Sequence, residues 1–422
     1  MGFMAYGNEI KRKQAMTTSE RDSTGSGTGF DAQASAHRMC AAYRREEADR
    51  VPMLTPIPWP PHKDIDSHDF NDWRGEERFR RIARLVQQYC DARPVRNTIG
   101  YPGVFEPISY QRFLEAPADF VEKLPPEQVS EKRRRYTTLL HTPNGDLKYV
   151  YDRDDGVFTD WDVHLPIQCP EDVEKLLSVP YEFNPPDPTE YEPFRKRRAE
   201  MDDDAVGGSG INCMVAMLVG VMEYEQVLEW IMTETDCIKR LADTWLERVS
   251  QKVEWLLSQG VGPFWHFNGI ERACPPMMGP AQWDEYIRPY DGKIMRMIKK
   301  ADPDAKIHVH CHARVGAFLD MFVELGVDST DPAEPPPQGD VVLTEAKQKY
   351  DGCMLFFGNI EFLDMETGEP KEVEELVRRA IEEGGRRNIV LCTSAGPHER
   401  PTDRFLANAE RYIEAGLKYG TF

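Results

Sequence analysis

The chain of 422 residues has 40% hydrophobic and 29% charged residues, a composition typical of a globular protein with one large domain or two ordinary ones. Its 72 acidic against 52 basic residues give a formal net charge of -20, which argues against nucleic acid or an anionic membrane surface as the main partner. Nine scattered cysteines without a CxxC pair indicate reduced thiols, and no apolar stretch is long enough to span a membrane, so we expect a cytoplasmic protein.

The first half of the chain begins with a segment of low complexity and contains a hairpin signal. Residues 1–36 are rich in Ser, Thr and Gly, which predicts a flexible tail before one folded domain over 37–422. We then predict a strand for "RVPMLTPIPW" and an amphipathic helix for "GEERFRRIARLVQQYC". In "YTTLLHTPNGDLKYVYDR", alternating apolar residues flank Asn144 and Gly145, which predicts an antiparallel hairpin insertion.

From about residue 205, short strand-like runs alternate with helical stretches. The runs are "VGPFWHF", "KIHVHCH", "VDST", "CMLFFGNI" and "NIVLCTS". This alternation predicts parallel βαβ units of the α/β class, with a spacing that suits a (β/α)8 TIM barrel. An open doubly wound sheet is the alternative. No GxGxxG or P-loop fingerprint follows any of these strands, which disfavours nucleotide binding.

Polar residues gather at the predicted carboxyl ends of these strands, where barrel enzymes carry their chemistry. They are His266, Asn268, Glu271, His308, His310, Cys311, His312, Asp331, Glu334, Asn359, Glu361, Ser394 and His398. This convergence on one rim predicts a functional site there.

The stretch "KIHVHCHARVG" is the strongest candidate for a metal site. Successive side chains of a strand point to opposite faces, so His310 and His312 share a face from which both imidazoles can reach one cation. Zn²⁺ or another divalent metal suits such ligands, and we predict that Glu271 or His398 completes the site, with Glu334 and Cys392 as alternatives. The alternative is that the histidines only form hydrogen bonds at the rim.

Three residues near this stretch are candidate catalytic groups. Glu271 follows an apolar strand and suits an acid with a raised pKa, although a helix N-terminal acid has the same pattern. Glu334 lies in a loop stiffened by prolines, and Arg314 suits a substrate carboxylate or a salt bridge on the next helix.

The pocket walls are predicted from aromatic residues and from one strand-end amide. Trp265 and Phe267 flank His266, and we predict that they line the cofactor or substrate pocket together with Asn359.

Several phrases of the sequence resemble the uroporphyrinogen decarboxylase superfamily. They are "DRVPML", "HLPIQCPEDVEKLLSVP", "FNGIERACPPMMGPAQWDEYIRPY", "HVHCHARVG", "VDSTDPAEPPPQGDVVLTEAKQKYDGCMLFFGNI" and "NIVLCTSAG", and they cover roughly residues 40–422. The resemblance implies a (β/α)8 barrel with its site at the carboxyl-terminal mouth.

One branch of this superfamily decarboxylates uroporphyrinogen without a cofactor and has an Arg-rich signature near its start, where this chain has "MLTPIPWPPHKD". The other branch contains zinc-dependent methyltransferases that use a corrinoid protein and bind zinc through a His-x-Cys pair and a Cys after the last strand. Here the residues that match the His-x-Cys pair are His310 and His312. Cys392 lies before the position of the family's last cysteine ligand, and His398 or Glu271 takes the place of that ligand.

The resemblance therefore implies a metal-dependent methyltransferase or demethylase that acts on a small substrate, such as a methoxylated aromatic compound, with a separate corrinoid protein as methyl acceptor. A decarboxylase or related lyase of a small carboxylated substrate is the alternative, and a barrel that binds a ligand without turning it over is the third. A homodimer is compatible with the sequence.

Overall fold

The computed structural model describes residues 29–93, 116–157, 159–201, 204, 207–312 and 314–422. Its helices are α1 Ala32–Arg44, α2 Glu77–Tyr89, α3 Pro170–Leu177, α4 Glu192–Met201, α5 Met214–Val221, α6 Tyr224–Thr233, α7 Thr235–Ser258, α8 Pro280–Tyr286, α9 Asp291–Ala301, α10 Leu319–Glu324, α11 Leu343–Tyr350, α12 Phe362–Thr367, α13 Pro370–Gly384 and α14 Asp403–Gly420. Its strands are β1 Val121–Lys123, β2 Glu127–Gln128, β3 Arg133–Thr142, β4 Gly145–Asp154, β5 Asp160–His164, β6 Gly208–Asn212, β7 Phe264–Asn268, β8 Lys306–His310, β9 Ser329–Asp331, β10 Leu355–Ile360 and β11 Ile389–Thr393.

The second half of the chain builds a parallel sheet in the order β11-β10-β9-β8-β7-β6. Met53 pairs in parallel with Leu391 of β11, and Leu54 pairs in parallel with Asp91, which adds two strand positions beside β11. Eight parallel strand positions joined through helices confirm the predicted (β/α)8 barrel. The carboxyl ends of the strands therefore lie on one rim.

The predicted hairpin is present and belongs to a larger antiparallel sheet. β3 and β4 pair along their whole length around the turn at Asn144, with Thr142 opposite Gly145. β1 and β2 pair with β3, and β5 pairs with β4, so that five strands form the insertion.

Helix α1 packs on the amino-terminal ends of the barrel strands. It begins at Ala32, within the segment for which we predicted a flexible tail, while residues 1–28 of that segment lie outside the described residues. The Tyr43 ring meets the ring of Phe264, at the start of β7, edge to face with centroids 5.1 Å apart. Met39 and Ala42 join a buried cluster with side chains from inside the barrel, namely Leu54, Leu355, Phe357, Val390 and Cys392.

Strand β6 was not among the predicted strands because "GSGIN" has two glycines and only one residue, Ile211, of the β-branched and aromatic types typical of strands. Its pairing with β7 requires glycine at position 208, because a Cβ there would overlap the carbonyl oxygen of Phe264. Here close backbone approach determines the residue type.

Among the helices of the described residues, none combines the length and the apolarity that crossing a membrane requires.

Candidate functional site

Three buried side chains at the carboxyl ends of neighbouring strands form a cluster that can hold a metal ion. Parallel pairing places His310 opposite Asp331 of β9, and His266 is on β7 beside them. One potential ligand atom from each residue lies within 4.8 Å of the others. The three side chains are 3%, 8% and 1% exposed for His266, His310 and Asp331. We call them the histidine–aspartate cluster.

Asp331 is the electrostatic centre of this cluster. Its Oδ1 accepts from His308 Nε2 and His310 Nδ1, both at 2.8 Å, and its Oδ2 lies 2.6 Å from Arg93 Nη1. Burial alone would raise the pKa of Asp331, but the charge of Arg93 and the two histidines outweigh burial and hold that pKa well below its usual range. The carboxylate therefore stays ionised and binds three donors.

A second carboxylate–histidine pair lies one step further along the chain. His312 Nδ1 lies 2.8 Å from Glu334 Oε1, and the His310 and His312 rings are edge to face with centroids 4.7 Å apart. Burial lowers the pKa of His312, but the hydrogen bond and charge of Glu334 outweigh it, so the pKa is raised overall. Both histidines of the predicted metal pair thus have Nδ1 bound to a carboxylate.

Glu361 and Ser394 lie at the ends of the next two strands. The Ser394 hydroxyl donates to Glu361 Oε2 at 3.1 Å and accepts the backbone N–H of Phe362 at 2.9 Å. Burial, with the nearby charge of Glu334, raises the pKa of Glu361 to about 7. This carboxyl group is therefore a candidate proton carrier near neutral pH.

The other residues predicted as metal ligands or catalytic groups, Glu271, Arg314 and His398, are not members of the histidine–aspartate cluster. Glu271 lies in a short 3-10 helix after β7 and pairs with Arg272 at 2.7 Å, and its charge acts on His312. Arg314 and His398 are exposed, and His398 is not one of the three residues of the histidine–aspartate cluster. Their predicted roles stay predictions.

The residues predicted as pocket walls lie on different faces of the barrel strands, and their role as pocket walls stays a prediction. Trp265 and Phe267 are fully buried in the main hydrophobic core. Because they alternate with His266 on β7, they point to the helix-facing side of the barrel while His266 points inside. Asn359, on β10, is partly exposed and pairs in register with Cys392.

Sequence reasoning did not assign His266, Asp331 and Arg93 to the centre of the site. His266 and Asp331 were noted as strand-end polar groups, but no residue pattern showed that they meet His310. Arg93 lies two residues after Asp91, whose parallel pairing with Leu54 marks a strand position that the pattern "YCDARP" does not indicate.

The donor set fits a divalent metal. A metal-bound histidine normally donates its other ring N–H to a carboxylate or carbonyl group, and both His310 and His312 have such a partner. His266 adds a third imidazole beside His310, with ring centroids 6.1 Å apart. Histidine nitrogens and carboxylate oxygens are among the ligands of catalytic zinc sites.

Comparison with known proteins agrees with this architecture. The sequence model of the family "Uroporphyrinogen decarboxylase (URO-D)" matches residues 162–416. The fold is similar to that of a methyltransferase from Methanosarcina mazei, with a TM-score of 0.51 and 13% sequence identity, covering 91% of this chain and 98% of the other. No curated protein sequence matches the chain significantly. By its matched residues and its barrel, this chain belongs to the uroporphyrinogen decarboxylase family.

Proposed function

We propose that the protein is a metal-dependent methyltransferase that removes a methyl group from a small methylated, in particular methoxylated aromatic, substrate and passes it to a corrinoid held by a separate protein. The observation that carries the proposal is the pair of carboxylate–histidine contacts, His310 with Asp331 and His312 with Glu334, at the ends of β8 and β9. The name of the similar Methanosarcina mazei structure supports the reaction type.

The metal ligands proposed are the imidazoles of His266, His310 and His312. Asp331 is less suited as a ligand, because Arg93 and two histidine N–H groups already use both of its oxygens. A bound divalent metal would act as a Lewis acid toward the leaving oxygen or sulfur of the substrate. Nitrogen ligands keep it more electrophilic than thiolates would, which suits an ether oxygen.

The protein's own groups would orient the substrate and move the proton. When the methyl group leaves, the oxygen that held it becomes an anion and needs a proton. Glu361, whose pKa is raised to about 7 by burial, can supply that proton from the same rim. The Ser394 hydroxyl donates to Oε2 of this carboxyl group and so directs the acid proton to Oε1.

The first experiment measures bound metal in the purified protein and in the single variants His266→Ala, His310→Ala and His312→Ala. We expect about one equivalent of zinc in the unsubstituted protein and loss in each variant. His141→Ala is the matched control, because His141 is exposed on the antiparallel sheet and pairs with Glu122 and Asp146. A folded protein that takes up no divalent metal would refute the metal site.

The second experiment incubates the zinc-loaded protein with 2-methoxyphenol and chemically reduced cobalamin. Methyl transfer is followed by the change in the cobalamin absorption spectrum and by release of the phenol. A metal-binding protein that transfers no methyl group from any methoxylated aromatic compound would refute this substrate class.

A decarboxylase is the second candidate, and the family description favours it. It would release CO2 from a carboxylated substrate without any corrinoid, and Arg314 is the predicted carboxylate-binding residue. Release of CO2 from a panel of aromatic carboxylic acids in the absence of cobalamin would replace the first proposal by this one.

A further inference from the structure

A series of hydrogen bonds crosses the barrel from α1 to His310. The Tyr43 hydroxyl lies 2.7 Å from Ser329 Oγ, and Ser329 Oγ lies 2.8 Å from His308 Nδ1. His308 Nε2 and His310 Nδ1 each lie 2.8 Å from Asp331 Oδ1. We call these five side chains the barrel hydrogen-bond network.

The direction of each bond in this network follows from the chemistry of its members. An ionised Asp331 can only accept, so His308 Nε2 and His310 Nδ1 must both carry a proton and donate it. Arg93 already balances the charge of Asp331 at 2.6 Å, and a second cation at the buried His308 would have to share that one carboxylate, so His308 is a neutral imidazole. Its Nδ1 is then an acceptor.

The remaining two bonds are fixed by that acceptor. Ser329 must donate its hydroxyl proton to His308 Nδ1, and its oxygen must then accept the proton of the Tyr43 hydroxyl. Burial raises the pKa of the Tyr43 phenol, so this group keeps the proton that it donates. All donors therefore point along the barrel toward Asp331.

We propose that Tyr43, Ser329 and His308 are positioning residues that orient Asp331 and thereby hold His310 as the tautomer with its proton on Nδ1. In that tautomer the lone pair of the His310 ring lies on Nε2. The tautomer is a property of this chain alone, while its use for metal binding rests on the proposed function. The inference links α1, at the amino-terminal end of the barrel, to the functional rim.

The size of the effect can be set from similar arrangements. Removing a group that holds a metal-bound histidine typically weakens metal binding by about 10- to 100-fold. Ser329→Ala removes the donor to His308 Nδ1 and leaves that buried atom without its partner. Tyr43→Phe removes only the outermost donor and keeps the ring that packs against Phe264 and Phe357. We therefore expect a larger effect from Ser329→Ala than from Tyr43→Phe.

Thr330→Val is the matched control. Thr330 is the next residue of β9, is fully buried, and donates its hydroxyl to the carbonyl oxygen of Val309, outside the network. The variant removes a buried hydroxyl from the same strand without touching Ser329 or His308. A general loss of stability in β9 would affect both strand variants alike.

The test is nitrogen NMR of the full-length, metal-free protein with labelled histidine, with the His310 signals assigned by their loss in His310→Ala. We expect His310 with a protonated Nδ1 in the unsubstituted protein and in Thr330→Val. Mixed tautomers should appear in Ser329→Ala and, to a smaller extent, in Tyr43→Phe. A His310 proton on Nε2 in the unsubstituted protein would overturn the inference. A His310 tautomer that is the same in Ser329→Ala as in the unsubstituted protein would also overturn it.

Zinc affinity, measured by competition with a chelator, adds a readout that tests the link to the proposed function. Ser329→Ala should bind zinc about 10- to 100-fold more weakly, and Thr330→Val should bind like the unsubstituted protein. If the His310 tautomer is as proposed but neither the unsubstituted protein nor any variant binds zinc, the metal site is refuted while the barrel hydrogen-bond network stands. If Ser329→Ala does not fold, Tyr43→Phe decides the tautomer result.

Discussion

The replacement Asp331→Asn tests the electrostatic core of the site most directly. Asp331 is 1% exposed and receives Arg93 at 2.6 Å and two histidines at 2.8 Å. An asparagine has the same shape but no charge, and its amide group turns one acceptor into a donor that must face an N–H group. Breaking one side of a buried ion pair costs about 3 to 5 kcal/mol, because the remaining charge stays buried without a partner.

We therefore expect Asp331→Asn to lower the free energy of unfolding, measured by urea titration, by about 3 to 5 kcal/mol at pH 7. The surface variant Asp320→Asn is the control. Asp320 is exposed and pairs with Lys349, so its loss should cost at most about 1 kcal/mol. A loss for Asp331→Asn no larger than that of the control would refute the reasoning that the carboxylate is ionised and buried.

The pH dependence of this loss has a defined sign. The pKa of Asp331 is held well below its usual range in the folded state, so the group stabilises the protein fully above its unfolded pKa of about 3.9. The contribution disappears as the pH falls toward the lower, folded-state pKa. The difference in the free energy of unfolding between the unsubstituted protein and Asp331→Asn should thus stay at about 3 to 5 kcal/mol from pH 5 to pH 8. It should shrink only in strong acid.

Three further predictions concern buried groups elsewhere in the barrel. Burial raises the pKa of Asp291 to about 8, so the folded state holds a proton that the unfolded state releases above about pH 4. The free energy of unfolding should therefore fall as the pH rises to about 8, by at most about 1.4 kcal/mol per pH unit. Asp291→Asn should remove that fall in urea titrations at several pH values, and an unchanged slope would contradict it. Gly208→Ala should lower the free energy of unfolding by about 3 kcal/mol or more, because the new Cβ overlaps the carbonyl oxygen of Phe264, and a well-folded variant of normal stability would contradict the tight β6–β7 contact. Burial raises the pKa of Glu361 to about 7, so infrared difference spectra should show a carboxylic acid component that disappears as the pH rises through about 7 and is missing in Glu361→Gln. The protonated Asp291, with a pKa of about 8, contributes a second component that Asp291→Asn removes, and a loss near pH 7 that persists in Glu361→Gln would assign the first component to another group.

The parallel half of the fold was predictable because short strand-like runs alternate there with amphipathic helical stretches. The predicted runs and β7 to β11 overlap, and the hairpin turn at Asn144 is where the sequence placed it. Two elements were not predictable from local pattern. β6 depends on close backbone contact at Gly208, and α1, whose first five residues lie in the segment predicted as a flexible tail, depends on packing against side chains from inside the barrel.

The candidate site was predictable only where it is local in sequence. His310 and His312 are two residues apart, and the alternation of a strand was enough to group them, although β8 ends at His310 and His312 lies in the following loop. Asp331 joins His310 through the register between two strands, which no single segment encodes. Trp265 and Phe267 alternate with His266 on β7, so the strand period already places them on the other face of that strand.

The charge balance of the site bears on the choice between the two proposed reactions. In the described part of the chain, the cations nearest the site have acidic partners, Arg93 with Asp331 and Arg272 with Glu271. A carboxylated substrate would therefore approach the carboxyl groups of the rim, Glu334 and Glu361, with the exposed Arg314 as its predicted counter-ion. A neutral methyl ether meets no such repulsion on entry. It acquires negative charge only when the methyl group leaves, at the point where a divalent metal on the histidines and the proton of Glu361 would both stabilise that charge.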